Sequence, residues 1–219
     1  MRKTVVAVFA HPDDEAFGPG GTIAKFSLTH DVYLLCVTNG AAGQNGLTKT
    51  QKTLSEIRKL ELLDSAKILG IKKVFFLGFG DGTLSNNLYH ELASKIKKKL
   101  IELMPEIVIT YEPHGVSGHI DHITVSLATT FVVKKLEFVK DLLYFCLTDH
   151  QRIQPDEYFI YFPDGYKHSE IDRTFDTSSV WNTKVTAMKA HKSQKKDCDI
   201  ILKALEKLPK KEYFLRFKN

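Results

Sequence analysis

Five consecutive residues near the start of the chain, His11-Pro12-Asp13-Asp14-Glu15, place an imidazole and three carboxylates between an apolar run and a glycine-rich turn, Gly18-Pro19-Gly20-Gly21. Adjacent carboxylates repel one another wherever water is scarce, and a bound cation removes that cost because it favours the charged form of each. Imidazole nitrogen with carboxylate oxygen is a zinc-type donor set, and a catalytic zinc keeps three protein ligands and one open position. Pro12 restricts the backbone between the two candidate ligands, His11 and Asp14. The competing reading is a solvated acidic turn. Gly20-Gly21 reads as a tight strand-to-helix turn, and neither a GxGxxG nor a GxxxxGK-S/T phosphate loop is present.

A second constellation follows Thr110: Tyr111-Glu112-Pro113-His114-Gly115-Val116-Ser117-Gly118-His119-Ile120-Asp121-His122. His119 and His122 stand three apart at the opening of a predicted helix, so they share one face. A lone histidine is more often a core or surface residue than a ligand. An HxxH pair enclosing an aspartate beside a glycine-rich loop shifts that balance toward a metal.

The elements that must position these groups are legible as period and length. Thr4–Ala10, Val32–Thr38, Lys73–Gly78, Ile107–Thr110 and Leu142–Leu147 are short apolar runs, read as strands buried on both faces. Between them lie helical stretches at Gly21–Thr29, Gln51–Leu69, Leu88–Leu103 and His122–Lys135. The second ends at Gly70, a good C-cap position, and Pro105 follows the third. This β-α repetition predicts an α/β fold, a three-layer Rossmann-like, doubly wound, mostly parallel sheet, formed as a single domain over residues 1–219. Beyond Pro155 the pattern changes: Tyr158–Phe162 reads as a further strand and Ser179–Leu208 as helix with a break near Ser193.

Fold physics joins the two constellations. With strand order 3-2-1-4-5, strands one and four are neighbours at the topological switch point, and ligands bind in the crevice outside their carboxyl ends. The loops after Ala10 and Thr110 therefore converge, and together they offer the two histidines and one aspartate of an open zinc site.

With these motifs in place, the sequence resembles the PIG-L/LmbE family of zinc-dependent N-deacetylases. Ala10-His11-Pro12-Asp13-Asp14-Glu15 and the HxxH-type segment match that family's two signatures. Thr38-Asn39-Gly40, Arg58 with Glu61, and Ala190-His191-Lys192-Ser193-Gln194 echo further segments. The resemblance implies a Rossmann-like fold, one zinc ion (another divalent metal stays open) and removal of acetyl from an N-acetylglucosamine-containing substrate. It implies His11, Asp14 and His122 as metal ligands, Asp13 as general base, and His119 as the group that steadies the tetrahedral intermediate or protonates the leaving amine. Arg58 and Asn39 become substrate-binding candidates; an i,i+3 pair with Glu61 is the alternative for Arg58. Asp121 either holds an imidazole in its required tautomer or caps the helix, two roles given equal weight. His191 and Gln194 belong near the site or, for His191, in the core as a hydrogen-bonded histidine. Ser117 stands where some members carry a tyrosine, and Ile120 where a proline is more usual.

Composition excludes other classes. Of 219 residues, 43% are hydrophobic and 26% charged, which fits a globular chain with ample core. The net charge of +5 is mild, and Lys95–Lys99 reads as a solvated helix face, so no nucleic-acid partner is expected. No apolar run reaches the roughly 20 residues of a membrane span, and the opening apolar segment stops short of a secretory signal. Cys36, Cys146 and Cys198 are odd in number and widely spaced, so a cytoplasmic protein with idle thiols is expected. A small amino-sugar is the expected partner; the oligomeric state stays open, a homo-oligomer included. Three other functions compete: an amidase acting on a different N-acyl glycoconjugate, a non-catalytic carbohydrate- or nucleotide-binding module, and a nucleic-acid binder. An intact Asp13 and His119 disfavour the binding module, since a simple binder has no need of a base beside a metal.

Overall fold

Side chains alternate across a strand, and that alternation assigns the helices of this chain to the two faces of one sheet. A computed structural model describes residues 2–43, 45–46, 52–152 and 161–218. The strands are β1 (Thr4–Phe9), β2 (Asp31–Thr38), β3 (Lys73–Phe79), β4 (Ile107–Tyr111), β5 (Asp141–Cys146), β6 (Arg173–Asp176) and β7 (Lys211–Lys218). The helices are α1 (Asp14–Phe17), α2 (Gly20–Thr29), α3 (Leu54–Leu69), α4 (Tyr89–Leu103), α5 (Gly115–Gly118), α6 (Ile120–Val133), α7 (Trp181–Ala190) and α8 (Lys195–Glu206).

Strand order is β3-β2-β1-β4-β5-β7-β6. The first five strands are parallel, and β7 runs antiparallel to both its neighbours. Val5, Ala7 and Phe9 pack with Ile23, Leu62, Ala66 and Met188 from α2, α3 and α7. Val6, Val8 and Ala10 point the other way, against Leu92, Ile96, Val125 and Val132 from α4 and α6. The result is the three-layer, mostly parallel Rossmann-like arrangement that the β-α repetition predicts. Full burial of a side chain such as Leu62 or Ile96 is worth about 1.5–3 kcal/mol.

Several boundaries and one environment differ from expectation. α3 begins at Leu54, not Gln51, because Thr53 closes a capping box with Glu56; Gln51 itself lies outside the described residues. It ends as anticipated on Gly70, in the left-handed conformation at φ 76. β3 is not buried on both faces: it is an edge strand, and most of its residues are at least partly exposed. Tyr158–Phe162 falls mostly outside the described residues, and Tyr161 and Phe162 are not in a strand. The break near Ser193 is a short 3-10 turn, Lys192–Gln194, between α7 and α8. Neither β6 nor β7 was foreseen. β6 has only four residues, and β7 mixes lysine and glutamate with its aromatics, so neither carries a clean period of two.

β7 also explains the glycine-rich turn. Glu212 accepts the backbone N–H groups of Gly21 and Thr22 at 2.9 and 2.6 Å at the start of α2, while Lys184 Nζ lies 2.6 Å from the same carboxylate. A Cβ on Gly21 would sit 2.6 Å from Thr177 Cβ and 2.9 Å from Glu212 Oε1. Glycine fits there because the Thr177 side chain and the Glu212 carboxylate both crowd the helix N-terminus.

Candidate active site

β1 and β4 are adjacent, in parallel register Val5↔Ile107 to Ala7↔Ile109, so their carboxyl ends open side by side. The loop after β1 delivers His11 to Glu15; the loop after β4, closed by α5, delivers His119, Asp121 and His122 to the start of α6. His11 and His122, 111 residues apart in sequence, come within hydrogen-bond distance. His11 Nδ1 lies 3.0 Å from His122 Nε2, His122 Nε2 lies 3.3 Å from Asp14 Oδ1, and His11 Nδ1 lies 3.8 Å from Asp14 Oδ2.

Each imidazole is oriented from behind. His122 Nδ1 is 3.0 Å from the Gly115 carbonyl oxygen, which can only accept, so its Nε2 presents a lone pair to the centre. His11 Nε2 faces Asp81 Oδ1 at 2.9 Å and Asp121 Oδ2 at 3.2 Å, which directs its Nδ1 inward. Asp14 is fixed from two sides: its Oδ2 accepts the His11 N–H at 2.8 Å, and Tyr111 Oη donates to its Oδ1 at 3.2 Å. Two inward-facing nitrogens and a carboxylate oxygen this close repel unless a proton or a cation lies between them. Tetrahedral zinc with bonds of about 2.0–2.1 Å separates its ligands by about 3.3 Å, and the three observed distances bracket that spacing. His11, Asp14 and His122 thus fit a divalent ion in residue type and in spacing. The ring nitrogens of His11, His119 and His122 also lie within 4.8 Å of one another, so His119 borders the same centre.

The group His11, Asp81 and Asp121 is equally compact. It is satisfied without an ion. Asp121 accepts from Gly82 N at 2.8 Å and Leu84 N at 3.2 Å, and Asp81 Oδ2 accepts from Ala42 N at 2.9 Å. Burial alone would lower the His11 pKa, yet hydrogen bonds to Asp121 and Asp81 raise it to about 10. For Asp14, burial pushes upward, and the neighbouring His122 and His11 outweigh it and hold the carboxyl well below the usual range.

Asp13 sits beside this centre in an unusual backbone conformation, φ 128 and ψ −27. Its carboxylate Oδ2 accepts from Arg58 Nη2 at 2.8 Å. Burial raises its pKa to about 6, with the Arg58 guanidinium opposing. Arg58 itself is 3% exposed and also donates to the Pro12 and Gly40 carbonyls at 2.7 and 2.9 Å. Gly40, at φ 65, makes that approach feasible: a Cβ there would stand 2.9 Å from the guanidinium. Glu61 does not pair with Arg58. Its two oxygens accept from Ser193 N and Oγ at 2.8 and 2.6 Å.

Asn39 is exposed at the end of β2, and its Oδ1 accepts from Ala41 N and Asp81 N. Asp121 is 1% exposed and faces His11, and the cap of α6 is His119, whose Nδ1 accepts the Asp121 N–H at 3.1 Å. Ser117 Oγ turns back to the Gly115 carbonyl oxygen at 3.4 Å, and Ile120 stands 64% exposed beside the His119 cap. His191 and Gln194 are both buried, His191 fully. Two contributors were given no role in the sequence reading, Asp81 and Tyr111. Asp81 had a usable signal: Gly80-Asp81-Gly82 opens the loop after the third parallel strand, at the same sheet edge as the other loops. Tyr111 opens the second constellation but ends β4 in the structure, where its Oη donates to Asp14.

Residues 6–133 match the model of the family described as PIG-L, GlcNAc-PI de-N-acetylase. The chain belongs to the PIG-L family. That match spans β1 to the end of α6 and contains both constellations. Among similar proteins, the probable N-acetyl-alpha-D-glucosaminyl L-malate deacetylase 2 of Bacillus cereus is 33% identical over 203 residues, covering 89% of this chain and 84% of the relative. The solved N,N'-diacetylchitobiose deacetylase of Pyrococcus horikoshii superposes with a TM-score of 0.68 at 21% identity, over 99% of this chain and 84% of that one. The 4-carboxy-2-hydroxymuconate hydratase GalB of Pseudomonas putida superposes with a TM-score of 0.74 at 17% identity, over 99% and 97%. The PIG-L scaffold is therefore shared by enzymes of different chemistry, and the fold alone does not select a reaction.

Proposed function

We propose that this PIG-L protein is a zinc-dependent hydrolase that removes the acetyl group from an N-acetylglucosamine-containing substrate. The observation that carries the reading is the convergence of His11 Nδ1, His122 Nε2 and the Asp14 carboxylate within 3.0–3.8 Å, beside a partly buried Asp13. The names of its relatives, which include deacetylases of N-acetylglucosaminyl malate and diacetylchitobiose, support the substrate class.

His11, Asp14 and His122 would hold the ion, which supplies Lewis-acid polarisation and a more acidic water when bound. Asp13 receives the proton of the attacking water; general-base help of this kind is worth about 10²–10⁴-fold. Arg58 acts as the clamp on Asp13, since three of its donor contacts reach the Pro12–Asp13 strand of the loop and Gly40. Because His119 Nδ1 accepts the Asp121 N–H, its neutral ring carries the proton on Nε2 and serves as a donor to the developing oxyanion. Asp13 then returns its proton to the departing amine. Asp81 and Asp121 hold the His11 ring by its Nε2. Three free, buried cysteines support a reducing compartment, the cytoplasm.

The test is amine release from N-acetylglucosamine, N-acetylglucosaminyl malate and diacetylchitobiose, using protein stripped of metal and then restored with zinc. Release that requires zinc and is lost in Asp13→Ala is the expected result. Stoichiometric zinc binding without release from any of the three would reject the substrate class, and failure to bind zinc would reject the mechanism.

A further inference from the structure

Behind the His11–Glu15 loop lies a second, wholly buried polar cluster that the deacetylation chemistry does not touch. Glu15 and His191 are both at 0% exposure, and His191 Nε2 lies 2.8 Å from Glu15 Oε1 across 176 residues of sequence. Ser65 Oγ donates to the same oxygen at 2.5 Å. The second oxygen, Glu15 Oε2, accepts the backbone N–H of Asp13 at 3.1 Å. That amide belongs to the residue at φ 128. A residue with a Cβ persists in such a sparsely populated region at a cost of about 1–3 kcal/mol, and only where its surroundings over-determine it.

The surroundings here are a designed-looking frame in three parts. α3 contributes Arg58, Glu61 and Ser65, spaced i, i+3 and i+7 and therefore on one face. Arg58 grips Pro12 O and Asp13 Oδ2, and Ser65 grips Glu15. Glu61 binds Ser193 N and Oγ, which fixes the turn immediately after His191. Meanwhile, His191 Nδ1 has no hydrogen-bond partner among the described residues. An unsatisfied buried nitrogen costs about 1–3 kcal/mol. Packing against Phe17, whose ring centroid is 5.8 Å away, would be served without that cost by phenylalanine or leucine.

We propose that His191 is a positioning residue for catalysis: by holding Glu15, it keeps the Asp13 backbone in its positive-φ conformation and so aims the base carboxylate at the metal centre. This rests on the reading of Asp13 as the base. His191 touches neither substrate nor ion, and it acts through Glu15 alone. Without its Nε2 donor, Glu15 loses one of its two side-chain donors, the Asp13 amide loses a fixed acceptor, and the strained backbone relaxes.

The test pairs kinetics with crystallography on the zinc-loaded full chain. His191→Phe is expected to lower kcat by about 10–100-fold, the scale of a misplacement of about 1 Å, with KM and zinc stoichiometry unchanged. His191→Gln, which restores an amide donor toward Glu15, is expected to recover most of that loss. A crystal structure of His191→Phe should show Asp13 at negative φ. An unchanged kcat, an equal loss in both variants, or an Asp13 still at φ near 128 in the phenylalanine variant would overturn the proposal. If His191→Phe does not fold, Ser65→Ala removes the other donor with little change of volume; a drop in kcat at constant KM supports the proposal, and unchanged kcat overturns it. Should the unmodified protein release no amine from any N-acetyl sugar, the deacetylase reading fails by itself, and the Asp13 backbone in the variant crystal decides the brace.

Discussion

α3 and α4 are nearly equal in length, 16 and 15 residues, and cover opposite faces of the same sheet, yet they bury different chemistry. The inward face of α4 is Leu92, Ala93, Ile96 and Leu100. That of α3 interleaves Ile57, Leu62, Ala66 and Leu69 with Arg58, Glu61 and Ser65. Each of those three polar side chains has a partner in the loop after β1 or in the segment that braces it. Buried polar groups are tolerable only when satisfied, and a satisfied network specifies one geometry where an apolar contact tolerates many. One helix therefore contributes mainly cohesion, and the other exchanges some cohesion for the aim of the loop after β1.

Substitutions on the two helices break or sharpen that contrast. Arg58→Met should have the largest effect: loss of one partner of a buried ion pair costs about 3–5 kcal/mol, read by denaturant unfolding. Activity per folded molecule should fall in parallel, because Asp13 loses its clamp. Ile96→Ala on α4 should cost about 2–5 kcal/mol through the cavity it leaves, while kcat per folded molecule stays unchanged. If Ile96→Ala reduced kcat as far as Arg58→Met does, the division between the faces would be wrong. Glu61→Gln should cost about 1–3 kcal/mol by weakening the grip on Ser193, with a measurable fall in kcat in steady-state assays. Thr53→Ala is expected to be the mildest: loss of the α3 cap is worth about 1 kcal/mol, visible as a lower thermal midpoint with kinetics intact.

The loops after β1 and β4 were legible because their signals are local. An apolar strand that stops at His11-Pro12-Asp13-Asp14-Glu15 announces itself within a dozen residues, and so does an HxxH pair at a helix start. The helix–strand alternation placed both at one sheet edge, and the family match over residues 6–133 covers both. Arg58 stood out in the sequence as a substrate-contact candidate, but whether its guanidinium faces open cleft or Asp13 depends on Gly40 leaving room for it. The antiparallel strands β6 and β7 were not legible, since β7 pairs with β5 through contacts more than sixty residues distant and shows no clean alternation. Glu212 at the head of α2 was hidden for the same reason.

By itself, then, the sequence determined the parallel core, the two His/Asp motifs at one sheet edge and the family. Those follow from residue type and from periods of two and 3.6, which are properties of neighbouring residues. Only the tertiary structure decided that Asp81 and Asp121 share the back of His11, that Arg58 turns to Asp13, and that His191 meets Glu15. Such pairings are set by strand register and by how loops close over a sheet edge, and no local spacing encodes which of several buried donors meets which acceptor.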